Sequence, residues 1–321
     1  MKPVHPSVFL SRWGEKLNQF YKGIEQIDQF TNAEPGIGFN IAHYRFRAEA
    51  AVGDPTSFNV DVFGGALLAI CIIQTGKEEI IGSAVMIAPG LAVTAEHLFR
   101  DLFEEIQAGR IEIRALGCAN SSIMIWRVEG LRGSSSDITF LLLSLRCDIP
   151  PNWCIDCVEL HVRPPKIDDT VYIAGARFPE WVETEGHQSF AGQFLCSKGK
   201  VTKVWMDKRD KVLMPFPSFE IQCGAFGGMS GGCVLSEDGY LIGVISTSIE
   251  SGDGVPGPTY AAWIGPALVR RPFRILWPPN FYNEETAIFD LPDYLIHIHG
   301  RDKFKIIANT SLARTSSIDT E

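Results

Sequence analysis

The first clear hydrophobic pattern in the chain has helical spacing. Leu10, Trp13, Leu17, Phe20, Tyr21, Ile24 and Ile27 recur at intervals of three and four, with Lys16, Gln19, Lys22 and Glu25 between them. This predicts an amphipathic helix over Val8 to Phe30, capped by Ser7 or Ser11 and packed on the protein's own body. Thr31 to Gly65 is mixed, with turn signals at Pro35-Gly36 and Gly53-Asp54-Pro55, and leaves open whether it adds a strand. From Ala66 the pattern changes to short apolar runs bounded by turn residues. Leu67 to Gln74, Glu79 to Ala88, Ile111 to Cys118, Ile123 to Val128 and Ile138 to Leu145 read as strands, with a helix over Leu98 to Ala108. Ile149-Pro150-Pro151 interrupts regular structure, and a linker is predicted up to Pro164-Pro165. Strands resume at Thr170 to Ala176, Gly192 to Cys196, Lys200 to Trp205, Ser218 to Cys223, Gly232 to Leu235, Leu241 to Ser246 and Thr259 to Ile264. A short helix is predicted over Pro266 to Arg271.

The expected fold class is therefore all-β, short strands with regular turn signals, with an N-terminal helix and a C-terminal extension. The expected divisions are an N-terminal extension over 1–65, a first barrel over 66–149, a linker and second barrel over 150–272, and a C-terminal extension over 273–321. Composition fits a globular chain: 321 residues, 45% hydrophobic and 21% charged. The net charge of −9 argues against nucleic acid or an anionic membrane as partner. No apolar run reaches the length of a membrane span, and Met1 to Phe20 lacks a signal-like apolar core, so a cytoplasmic location is expected. Most of the eight cysteines lie in apolar strands, as buried free thiols do. Cys154-Ile155-Asp156-Cys157 has no second pair at zinc spacing, and His297-Ile298-His299 lacks a third ligand, so neither a metal nor a cofactor is expected.

Chemistry concentrates in three stretches. Gly227-Gly228-Met229-Ser230-Gly231-Gly232 precedes a predicted hairpin, and its glycines let backbone N–H groups crowd a hydroxyl. The N–H groups of Gly228 and Ser230 are candidates for an oxyanion hole. Thr94-Ala95-Glu96-His97 follows a buried strand, a Pro-Gly turn and a short strand. Ser136-Asp137 opens the apolar run Ile138 to Leu143.

These stretches resemble the His, Asp and Ser motifs of trypsin-like (chymotrypsin-fold) serine proteases, in that family's order. The style is closest to bacterial, disulfide-free members such as the high-temperature-requirement proteases. The resemblance implies a pair of antiparallel six-stranded β-barrels and a serine endopeptidase with His97, Asp137 and Ser230 catalytic and an acyl-enzyme intermediate. It places the specificity-pocket base at Gly224 beside Ala225, and a substrate-pairing wall at Ser246, Thr247 and Ser248. It places the other pocket wall at Gly257. With Gly224 at its base the pocket is uncharged and suits an apolar side chain, although Glu250 or Asp253 could reach in. The secreted members' cysteine after the histidine is replaced by Leu98, and the aspartate before the nucleophile by Met229. A buried ion pair at that aspartate therefore cannot drive activation, which leaves a role for a regulatory protein partner. Expected partners are a specific intracellular protein or peptide substrate and such a regulator. The alternative readings are a catalytically silent protease-fold binding module and an esterase; the esterase is disfavoured because a strand, not a helix, follows Ser230.

Overall fold

The computed structural model describes residues 19–22, 26–29, 40–49, 52–74, 77–134, 136–148, 154–177, 182–184, 187–189, 193–250, 256–269, 274–278 and 284–302. Two closed antiparallel barrels account for most of them. The first is a six-stranded ring of Leu67–Gln74, Lys77–Ala88, Leu91–Thr94, Glu112–Ala119, Ser122–Gly133 and Thr139–Leu145. Leu67–Gln74 closes it by pairing with Lys77–Ala88 on one side and Glu112–Ala119 on the other. The second ring holds Thr170–Arg177, Gln193–Trp205, Ser218–Ile221, Cys233–Ser236, Leu241–Glu250 and Pro256–Trp263. Cys233–Ser236 closes it by pairing with both Thr170–Arg177 and Leu241–Glu250. The predicted runs Gly192 to Cys196 and Lys200 to Trp205 are one long strand, bent by a register shift between Val201 and Lys203. Apolar residues lie consecutively in these strands because both strand faces are covered. Leu67, Leu68, Val85, Ile87, Leu141 and Leu143 are wholly buried in the first barrel, as are Ile173, Phe219, Val234 and Leu241 in the second.

The predicted N-terminal helix is not what forms where the chain is described. Gln19–Lys22 and Gln26–Gln29 are strands, antiparallel to Phe46–Glu49 and Asn40–Tyr44; residues 8–18 of that prediction lie outside the described residues. Two causes act against the helix. Gly23 costs a helix interior about 1 kcal/mol. The edge of Asn40–Tyr44 offers an unpaired ladder that a strand can complete, so tertiary pairing overrides a period that fits either element. The linker prediction is corrected too. Cys154–Val158 is a strand, parallel to Asn40–Tyr44, and Leu160–His161 pairs in parallel with Leu241 and with Ile298–His299.

Both extensions therefore belong to the packed body. Phe46, Phe58 and Phe63 are buried, with the Phe46 and Phe63 rings stacked 4.3 Å apart. Downstream, Trp277 meets Trp126 edge-on at 5.1 Å, and Ile288, Phe289, Leu291, Leu295 and Ile296 are buried. The predicted helix after His97 forms as two short pieces, His97–Arg100 and Phe103–Gln107, and the helix after the second barrel is the single turn Gly265–Leu268.

Candidate active site

Strand register brings the first two site residues together. Thr94 and Thr139 are register partners on adjacent antiparallel strands of the first barrel. His97 follows Thr94 by three residues at the start of a helical turn, and Asp137 precedes Thr139 by two in a tight turn closed by Ile138 N–H to Ser136 O at 2.7 Å. The Asp137 carboxylate then grips His97 twice. Oδ1 accepts the backbone N–H at 2.8 Å, and Oδ2 accepts Nδ1 of the ring at 2.7 Å. A carboxylate only accepts, so the proton sits on Nδ1 and Nε2 keeps its lone pair for a base's work. The Asp137 side chain is 4% exposed and the His97 side chain 34%, which leaves the ring open to a ligand on its outer face. Ser246 Oγ donates a third hydrogen bond to Asp137, on Oδ2.

Ser230 arrives from the second barrel. Its turn is tied to the strand Leu241–Glu250 by Gly231 N–H to Ile245 O at 2.8 Å and Ile245 N–H to Gly232 O at 2.9 Å. It is tied to the first barrel by Ser83 N–H to Ser230 O at 2.8 Å. The approach requires glycine at Gly231, which has φ +85 and lies against Ser83 O and Thr94 Oγ1 where a Cβ would sit. Gly228 has φ +93 at the third position of a turn closed by Met229 N–H to Phe226 O at 3.1 Å. Only a type II turn fits that pattern, and it requires glycine there. Among the described residues the N–H groups of Gly228 and Ser230 donate to nothing, so both are open to a ligand. Ser230 Oγ donates to Ser246 O at 3.3 Å and makes no hydrogen bond to His97.

Sequence reasoning missed three contributors. Ser83 Oγ donates to Gly228 O at 2.9 Å and accepts Ala176 N–H at 2.7 Å, which pins the glycine loop to both barrels. A lone serine inside an apolar run carries no signal of that role. The Ser246 hydroxyl on Asp137 is the second, since that residue is predicted only as a substrate wall. Glu96 is the third: half-buried near Asp137, its carboxyl is raised in pKa by burial and then by the Asp137 charge, with Arg100 pulling the other way.

The expected pocket residues are placed as follows. Gly224 N–H donates to Gly53 O at 3.2 Å, and the carbonyls of Gly224, Ala225 and Cys223 accept the hydroxyls of Ser197, Ser248 and Thr259 at 3.1, 2.9 and 2.8 Å. The register sets Thr259 opposite Ser248, and Gly257 lies nearer the hairpin end, next to Pro256, which pairs with Glu250. Asp253 lies outside the described residues. Thr247 lines a different space, a cleft of about 240 Å³ with His97, Arg100, Arg209, Leu213, Met214, Phe216 and Tyr260.

Residues 82–244 match the family model described as the trypsin-like peptidase domain. The chain belongs to the trypsin-like peptidase family. Solved structures similar to this chain include mouse neuropsin, a brain serine protease, at 14% identity and TM-score 0.44, covering 66% of this chain and 94% of that one. Human heparin binding protein matches at 16% and 0.45, covering 67% and 92%. The inactive form of a serine-to-alanine mutant of Rv3671c from M. tuberculosis matches at 16% and 0.42, covering 68% and 93%. No curated protein matches the chain. The trypsin-like peptidase fold supports a protease function and protein substrates. All eight cysteines are free, and burial pushes the Cys118 and Cys233 thiols up to about 12. Among the described residues no group of His, Cys, Asp and Glu is arranged to hold a metal, and no helix is long and apolar enough to cross a membrane.

Proposed function

We propose that the chain is a serine endopeptidase working through His97, Asp137 and Ser230. The observation that carries this reading is the double grip of Asp137 on His97, with the Ser230 turn and two undonated N–H groups beside it. Ser230 Oγ attacks a peptide carbonyl while His97 Nε2 takes its proton. His97 returns that proton to the leaving amine, and water then hydrolyses the acyl-enzyme by the reverse sequence. Asp137 stabilises the imidazolium, and Ser246 Oγ helps hold the carboxylate. Gly228 and Ser230 N–H groups receive the oxyanion, a contribution of about 2.7–4 kcal/mol per donor in other hydrolases.

The substrate strand adds to an open edge. Cys233–Ser236 pairs with Leu241–Glu250 only as far as Val244, so among the described residues Ser246 to Ser248 have no strand neighbour on that side. A substrate N–H donated to Ser246 O takes the acceptor that Ser230 Oγ now uses, and frees the hydroxyl to turn to His97. Substrate binding and nucleophile alignment are then one event. The residue before the scissile bond meets the Gly224–Ala225 segment. Its pocket is uncharged, and the Ser248 and Thr259 hydroxyls narrow it, which favours a small uncharged side chain.

The competing reading is a silent protease-fold binding module, favoured by the Ser230 hydroxyl facing Ser246 rather than His97. Hydrolysis of a peptide library by wild type and by Ser230→Ala separates the two. Turnover that disappears in the variant supports the endopeptidase; no turnover in either supports the module. Free, buried thiols are compatible with a reducing, cytoplasmic setting.

A further inference from the structure

The turn before Ser230 is held by more than its glycines. Phe226 and Met229 bind each other twice across it. Met229 N–H donates to Phe226 O at 3.1 Å, and Phe226 N–H donates to Met229 Sδ at 3.4 Å. A thioether is a weak acceptor, but here it takes an amide that has no main-chain partner among the described residues. Met229 O in turn accepts Gly232 N–H at 2.9 Å, so one residue ties both flanks of the nucleophile. Met229 is wholly buried. The strand Thr170–Arg177 packs directly on it. At Gly175 a Cβ would lie 2.9 Å from Met229 Cα and from Met229 O, and 3.0 Å from Ser83 Oγ.

The end of that strand reaches the turn from a second side. Ala176 N–H holds the Ser83 hydroxyl that donates to Gly228 O. The next residue, Arg177, is exposed, and its guanidinium carbon lies 4.2 Å from the centre of the Phe226 ring. The guanidinium makes no ion pair or hydrogen bond among the described residues, so the ring is its partner. A cation over an aromatic face is attracted by the ring quadrupole, which at an exposed site favours the stacked arrangement by a factor of about 2 to 5. No carboxylate takes part in any of these contacts.

We propose that Arg177, Phe226 and Met229 are positioning residues: they form an uncharged-acceptor clamp that keeps the Gly228 and Ser230 N–H groups ready for an oxyanion in the free protein. This rests on the endopeptidase reading. Arg177 touches no reacting atom and acts through Phe226. Fixing Phe226 fixes the carbonyl that closes the turn, and the Met229 thioether fixes the same residue from the other side. The Gly228 peptide between them then has one orientation. Because every acceptor in the clamp is neutral, no new N-terminal amine and no partner protein is needed to order it. Removing a contact lets the turn open more often, and that opening is local.

The test reads native-state hydrogen exchange, fluorophosphonate labelling and peptide cleavage on the whole chain. Arg177→Ala should speed exchange of the Met229 and Gly232 amides about 2- to 5-fold, while the amides of Leu67–Gln74 keep their wild-type rates. Arg177→Met, which keeps the stem without the charge, should behave like the alanine variant, and Arg177→Lys should restore most of the protection. Met229→Leu, which removes the sulfur acceptor, should speed exchange about 5-fold or more; if it fails to fold, the Arg177 series decides. Any loss of cleavage in these variants should fall on kcat with KM unchanged. Wild type should take one equivalent of fluorophosphonate without trimming or added protein. Unchanged exchange in Arg177→Ala, exchange that rises equally in the first barrel, or labelling that begins only after N-terminal trimming or addition of a partner overturns the proposal. The expected exchange pattern in a protein that neither labels nor cleaves would leave the clamp standing and remove the endopeptidase.

Discussion

His43 should make this protein lose stability in mild acid, by an amount the structure sets. The residue sits in the strand Asn40–Tyr44, wholly buried, with its ring stacked 4.3 Å from His297 at 12°. Among the described residues neither ring nitrogen has a hydrogen-bond partner by distance and angle, and the nearby Tyr294 backbone acts only to raise the pKa against the larger lowering causes. Burial, then the neighbouring His297, lowers its pKa from 6.5 to about 3. Between those values the unfolded chain binds a proton that the folded chain refuses, so stability falls as pH falls through that window. At pH 5 the deficit is RT ln of about 30, or about 2 kcal/mol, and it grows by about 1.4 kcal/mol for each further unit down to about pH 3. Glu96 and Glu159, whose pKa values burial raises, act in the opposite direction. The measurement must therefore be differential. Urea unfolding of wild type and of His43→Phe, which keeps a ring against His297, is followed at pH 7 and pH 5. Wild type should lose about 2 kcal/mol more than the variant. Parallel losses in the two proteins would refute the argument that a buried neutral imidazole carries the sensitivity.

Four further outcomes are expected. Ser83→Ala strands the Ala176 N–H and the Gly228 carbonyl, and should lower kcat on peptides about 10-fold with a melting loss of 1–3 kcal/mol, roughly; unchanged kcat would show that the loop holds itself. Asp137→Asn should reduce kcat by about 10⁴ while far-UV circular dichroism stays that of wild type; a loss under 10-fold contradicts the role given to the carboxylate. Phe46→Ala should cost about 3–5 kcal/mol in denaturant unfolding, because the N-terminal segment is part of the core; a cost under 1 kcal/mol would make it a detachable extension. Dithiothreitol should leave the melting temperature unchanged, since all eight cysteines are free; a fall of several degrees would reveal a structural bridge.

The parts legible in the sequence were those with a local cause. The barrel strands announce themselves as apolar runs between turn residues, and Gly228 to Gly232, Thr94 to His97 and Asp137 are compact motifs. What was illegible depends on pairing between distant segments. Phe20, Ile24 and Ile27 fit a helical period, yet Asn40–Tyr44 and Phe46–Glu49 draw that stretch into strands. Cys154–Val158 follows two prolines and gains its regular form from Asn40–Tyr44. Thr259 comes to face Ser248 only through register shifts that no count along the chain reveals. Ser83 looks like a core residue until the second barrel is set against it.

The central claim is that Ser230 is an activated nucleophile, and covalent labelling tests it most directly. A fluorophosphonate probe, followed by peptide mapping in a mass spectrometer, should modify wild type at Ser230 alone. The label should disappear in Ser230→Ala and slow by orders of magnitude in His97→Ala, because the ring supplies the base. Labelling that persists in Ser230→Ala, or its absence from wild type, would contradict the account.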